Sequence, residues 1–162
     1  MRFAVDNCTF RHVGLHVYRS EVMRKLKGRF VLQIDRNPEL ADFAALTKTL
    51  VNKAKSSDEI TRYTAIRWLN CFLHTESSHD SMLAFLADLI IAVLPCISHP
   101  GKDVRDGAIA CNNKLLAMDL SKHLAAVGVG PVLTALSYEL VSQQEPTRLE
   151  ALKWVQVWDL QC

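Results

Sequence analysis

One pattern returns at a fixed interval along this chain. Thr61-Arg62-Tyr63-Thr64-Ala65-Ile66-Arg67-Trp68 comes back 86 residues later as Thr147-Arg148-Leu149-Glu150-Ala151-Leu152-Lys153-Trp154. Midway, 43 residues after Arg62, stands Arg105 in Asp103-Val104-Arg105-Asp106-Gly107-Ala108-Ile109. All three copies carry an arginine, an alanine three residues later, and then Ile or Leu. A chain built on such an interval must stack one structural unit on the next, because a single unit cannot cover its own apolar face.

The interval falls within the roughly 40–47 residues of a helical-pair repeat of the HEAT or armadillo kind. The expected fold is therefore all-α: an α-solenoid of three to four helical pairs. Gly and Pro number only 6 and 5 in 162 residues, which favours helices over turns and sheets. Apolar residues at 49% and charged residues at 22% fit an ordinary soluble globular chain. A net charge of +2 is too small for the basic footprint of a nucleic-acid reader.

Apolar spacing places the elements. Residues 1–18 show no period and read as an irregular lead-in, with 19–162 as the array. A partial helix covers 20–36 and ends before Asn37-Pro38, because the residue before proline is pushed out of the helical region. Three repeats follow, over about 39–75, 80–118 and 130–160. Ser56 and Glu59 have capping-box spacing for the second helix of the first repeat. Met82 to Ile97 is the strongest apolar run; it is shorter than the ~20 residues a bilayer needs and holds Asp88, so it reads as a buried helix over 80–96. Pro131 and Pro146 suit first helical turns.

The repeated residues have structural work to do. Ala65, Ala108 and Ala151 are small enough to let helices approach to about 8–10 Å. Ile66, Ile109 and Leu152 are expected to fill the seam between units, and Trp68 and Trp154 share a core position. Arg62, Arg105 and Arg148 should line up along the array, with Asp58 or Asp103 near enough to form an Asp–Arg ladder. An anion-binding stripe is the functional alternative. Arg19, Arg24, Lys25, Lys27 and Arg29 cluster beside Val22, Leu26 and Phe30; this is a solvated outer face or a basic patch for an anionic membrane or partner.

No catalytic constellation emerges. The five cysteines are scattered, and most lie in apolar helical stretches, as reduced buried thiols do. Cys71-x-x-His74 and Cys96-x-x-His99 have half-site spacing for zinc but no second compact pair. His12 and His16 have no glutamate between them in the metalloprotease pattern. Gly128-Val129-Gly130 precedes a proline and follows no strand, so it is no phosphate loop. No cofactor and no enzyme activity are expected.

An ordered set of segments carries a family likeness over about residues 19 to 160. It comprises the stretch from Phe30 through Pro38, then Phe43-Ala44, Leu50-Val51, Asp58-Glu59, Thr64-Ala65-Ile66-Arg67-Trp68, Leu94-Pro95-Cys96, Cys111-Asn112-Asn113-Lys114-Leu115-Leu116 and Leu152-Lys153-Trp154. In this order the chain resembles the middle of the vacuole morphology and inheritance scaffold family, the "Vac fourteen" family. The resemblance implies a non-catalytic HEAT-repeat scaffold, peripheral on endosomal or vacuolar membranes. Its implied partners are a PIKfyve-type lipid kinase, which makes phosphatidylinositol 3,5-bisphosphate, and an opposing Sac-domain phosphatase. Self-association is implied as well. Family members are several times longer and contact those partners largely toward their ends, so this chain is expected to be a fragment or a reduced relative. A generic helical-repeat adaptor, of transport or phosphatase-regulatory type, shares the same fold.

Overall fold

The computed structural model describes residues 28–29, 32–33, 36–37, 41–75, 78–120 and 128–161, without the side chains of 158–161. Compactness divides the chain into Met1–Asp42 and Phe43–Cys162. In the first unit, Gly28, Arg29, Leu32, Gln33 and Arg36 are helical, inside the helix expected over 20–36. The remainder of that helix and the lead-in 1–18 lie outside the described residues.

The second unit is helical, and no strand occurs among the described residues. Its elements are α1 (Phe43–Ala54), α2 (Glu59–Phe72), α3 (His79–Leu83), α4 (Leu86–Val93) with a 3-10 extension (Leu94–Ser98), α5 (Lys102–Leu116), α6 (Gly130–Leu140) and α7 (Glu145–Gln161). Spacing of apolar residues explains the helices. In α1 the buried side is Phe43, Thr47, Val51 and Ala54, steps of three or four that align on one face. Pro131 sits in the first turn of α6, where its missing N–H costs nothing.

Two local expectations change. The cap of α2 is Asp58, whose carboxylate accepts from Thr61 N at 2.8 Å. Ser56 accepts instead from Asp58 N at 3.1 Å, tightening the turn one step before the helix. A carboxylate one residue from the helix satisfies a free N–H and meets the positive end of the helix dipole, so it outcompetes the more distant hydroxyl. The helix expected over 80–96 is also broken. Phe85 leaves the helical region (φ −108°, ψ 24°) between α3 and α4. No glycine or proline marks that break, and the apolar period runs straight through it. At the far end Pro95 lacks the N–H an α-helix needs, and the chain tightens to 3-10 geometry.

The helices pack as three antiparallel pairs: α1 with α2, α4 and its extension with α5, and α6 with α7. First helices stack on first helices, α1 on α4 and α4 on α6. The second helices α2 and α5 likewise stack. Ala65, Ala108 and Ala151 are all buried. At the α2–α5 contact a Cβ added to Gly107 would lie 3.0 Å from Ile66 Cγ2. Glycine mid-helix costs up to about 1 kcal/mol relative to alanine, and here it permits the close approach that buries Ile66 completely. The Ala108→Leu variant should therefore lose about 1–3 kcal/mol of stability by overpacking. Urea titration followed by circular dichroism measures this, and an unchanged midpoint would show that position 108 is not at a tight contact.

Candidate functional site

The feature repeated most faithfully is a clamped turn at the start of each second helix. Arg62 Nε donates to the carbonyl of Ser56 at 2.9 Å. Arg105 Nη1 donates to the carbonyl of His99 at 3.1 Å, with Pro100 O at 3.4 Å. Arg148 Nη1 donates to the carbonyl of Ser142 at 2.7 Å. In every case the acceptor lies six residues upstream. The same acceptor residue folds its own side chain back two residues on: Ser56 Oγ accepts from Asp58 N, His99 Nδ1 from Gly101 N at 3.0 Å, and Ser142 Oγ from Gln144 N at 3.3 Å. Backbone bonds Arg62 N→Asp58 O, Arg105 N→Gly101 O and Arg148 N→Gln144 O complete three matching turns.

The arginines thus serve backbone carbonyls, and the expected Asp–Arg ladder gives way to this clamp. Turn carbonyls ahead of a helix have no partner within it, and a guanidinium satisfies them with a charge-assisted bond. Asp58 is engaged in capping, accepting from both the N–H and the hydroxyl of Thr61. The signal for the clamp lay in the sequence at 56, 99 and 142, spaced by the same 43 residues. It was missed because Ser, His and Ser look unalike, although each offers an acceptor atom at short reach.

A second arrangement joins the middle and last pairs. Trp154, fully buried in α7, donates from Nε1 to Asn112 Oδ1 on α5 at 2.8 Å. Asn112 Nδ2 donates back to Glu150 Oε2 at 2.9 Å, and Glu150 Oε1 receives Lys153 Nζ at 2.6 Å. Thr147, also buried, sits 2.7 Å from Ser98 Oγ and donates to the carbonyl of Leu94 at 3.2 Å. These bonds fasten the start and middle of α7 to the preceding pair. In the first pair Trp68 is half-buried and leans on Phe72 at 5.7 Å between ring centroids.

Not every repeated side chain lies in a covered seam. Ile66 is fully buried, Ile109 half-buried, and Leu152 is 48% exposed. Nothing among the described residues packs beyond α7 to cover Leu152. Of the basic cluster, Arg29 is helical and exposed, while Arg19, Arg24, Lys25 and Lys27 lie outside the described residues.

The described cysteines are withdrawn from solvent. Cys71, Cys96 and Cys111 are buried free thiols. Burial pushes the Cys96 thiol up to about 11, partly offset by the nearby Arg62 charge, so it stays protonated at neutral pH. Its sulfur donates to Ala92 O at 3.2 Å, and that of Cys111 to Ile66 O at 3.4 Å. Burial also raises the Glu139 carboxyl on α6 above its ordinary value. Among the described residues, no three His, Cys, Asp or Glu side chains gather to hold a metal ion. No described helix is long and apolar enough to cross a membrane.

In the described residues of Phe43–Cys162 the helices thus form packed pairs with clamped turns, an all-helical architecture. No family model matches the chain, and no solved structure matches it. Among curated proteins, the Protein VAC14 homolog of Arabidopsis thaliana is 34% identical over 128 residues. That stretch is 79% of this chain and 17% of the relative. Over that stretch the chain belongs to the VAC14 family, of whose plant member it spans about one sixth.

Two substitutions test the site. Trp154→Phe leaves the buried Asn112 carbonyl oxygen without its donor and should cost about 1–3 kcal/mol. Arg105→Ala removes one clamp at a partly exposed turn and should cost about 1 kcal/mol. Thermal and urea unfolding read both, and Trp154→Phe matching the wild type would show that the α5–α7 bond contributes nothing.

Proposed function

We propose that this chain is a stretch of HEAT- or armadillo-like α-solenoid that acts as a non-catalytic scaffold. The array runs over 19–162 in repeats of about 39–75, 80–118 and 130–160, after the partial helix 20–36. The partners are a PIKfyve-type lipid kinase and a Sac-domain phosphatase, held together at endosomal or vacuolar membranes to set the level of phosphatidylinositol 3,5-bisphosphate. The observation that carries this reading is the match to the plant VAC14 homolog across four-fifths of the chain.

The geometry supports it. Three clamped turns spaced by 43 residues are what a stacked array of equivalent hairpins requires. Such arrays present extended side-chain surfaces to partners and perform no chemistry themselves. Arg62, Arg105 and Arg148 clamp the turn within each pair, Ala65, Ile66, Ala108, Ala151 and Trp154 are buried in the packing, and partner contacts fall on other positions. The basic cluster Arg19, Arg24, Lys25, Lys27 and Arg29 supplies a surface for an anionic membrane or an acidic partner. Association with the membrane is peripheral.

The test is a chimaera in which this chain replaces the matching segment of the plant relative. Expressed in cells and precipitated, the chimaera should recover both the lipid kinase and the phosphatase at levels close to the parent. A stably folded chimaera that recovers neither enzyme would overturn the scaffold assignment for this segment.

A further inference from the structure

The three clamped turns differ at one atom. The residue that folds back on the backbone two positions later is Ser56, His99 or Ser142, so the acceptor is a hydroxyl in two turns and the ring nitrogen Nδ1 in the middle one. A hydroxyl keeps its lone pairs across the neutral range. An imidazole gives one up when it takes a proton, which it does between about pH 5 and 8. The donor here is a backbone N–H, which cannot reverse its role. The bond from Gly101 N at 3.0 Å therefore requires a neutral His99 with its proton on Nε2. Of these three turns, only the middle one is fastened by a group that can become charged.

Gly101 shows what stands beside that nitrogen. Its backbone (φ −67°, ψ 118°) is one that any residue adopts, so conformation does not call for glycine. Space does. The place a Cβ would take is filled by the Glu59 carboxylate, whose Cδ lies 3.0 Å from that point, and His99 Nδ1 lies 3.1 Å from the same point. Glu59 is the first residue of α2, in the first pair, and its exposed side chain thus reaches the turn of the second pair. Among the described residues no donor is bonded to that carboxylate. A carboxylate and a neutral imidazole that border one point lack only a proton to bond each other.

We propose that Glu59, His99 and Gly101 form a proton-operated joint between the first and second helical pairs. With His99 neutral, Nδ1 accepts from Gly101 N and closes its own turn. With His99 charged, Nδ1 carries a proton and can no longer accept; the ring leaves Gly101 and donates to the Glu59 carboxylate. The proton comes from water, which reaches the half-buried ring. Acid thereby loosens one turn of three and ties α2 to the turn ahead of α5. The other charges nearby already have partners or face solvent. From α5, Arg105 holds the His99 carbonyl, Lys102 faces Asp106, and Asp103 is exposed. From α2, Arg62, close enough to act on Cys96, is held by the Ser56 carbonyl. From α7, Arg148 is held by the Ser142 carbonyl, and the uncharged Thr147 meets Ser98. This inference stands apart from the lipid-kinase reading.

Nuclear magnetic resonance on the full 162-residue chain, titrated between about pH 7.5 and 5.5 where an imidazole charges, tests this. The Gly101 amide, the His99 ring and the Glu59 carboxyl resonances should shift along one curve with a shared midpoint. The Gln144 amide, fastened by Ser142, should not follow it. In His99→Ser, which installs the acceptor of the other two turns, the Gly101 amide should hold its position throughout. In Gly101→Ala, whose Cβ takes the carboxylate's place, the Glu59 inflection at that midpoint should vanish while the amide at position 101 still responds. Circular dichroism checks that both variants stay helical. A wild-type Gly101 amide that does not move while His99 charges overturns the proposal. So does a Glu59 carboxyl without an inflection at the His99 midpoint, and so does a helical Gly101→Ala variant that keeps that inflection.

Discussion

The bond on which this architecture leans is the one from a guanidinium to a carbonyl six residues back. Each hairpin must reverse direction between its helices, and a reversal leaves carbonyls that no helix can satisfy. Arg62, Arg105 and Arg148 reach back from the first turn of α2, α5 and α7 and close those groups. The upstream residue contributes a second lock, since its side chain accepts from the backbone two positions later. Fixing the turn fixes the angle at which the second helix leaves the first. In the helices that follow these turns, Ala65, Ala108 and Ala151 are all buried.

Tight contact follows from small side chains at those places. Gly107 facing Ile66 is the clearest case, a residue unfavourable within a helix whose missing Cβ would crowd Ile66 Cγ2 at 3.0 Å. The seams are then filled unequally. Between α2 and α5 the contact is apolar and close. Between α5 and α7 it is polar, built on Asn112, Glu150 and Trp154, with Thr147 bonded to the 3-10 turn beneath it. The same interval in sequence is served by two kinds of chemistry, and this is why the repeat is hard to see by identity alone.

Much of the fold was legible from the interval and from apolar spacing, because helices declare themselves through a period of three to four residues. The arginines were legible as period-locked residues, but their partners were not. A sequence shows which charges could pair, and Asp58 and Asp103 looked eligible; it does not show that backbone carbonyls six residues away are closer. The kink at Phe85 was invisible because nothing in the residue types interrupts the apolar pattern there. Exposure of Leu152 and Val155 was illegible for a different reason. Burial belongs to a residue together with its neighbours, and identical positions differ when, among the described residues, only some of them have a unit packed over them.

The hydrogen bond between Trp154 and Asn112 has a consequence for how such a chain assembles. Equivalent hairpins invite miscounting: a late hairpin can settle on the wrong earlier one and still bury oily surface. If the last hairpin slipped back by one unit, the indole N–H would face Leu69, which occupies the place of Asn112 in the first pair and has nothing to accept it. An indole donor shut away without an acceptor is costly enough to reject that arrangement. The indole and the carboxamide act as a lock and key that number the units and admit them in one order.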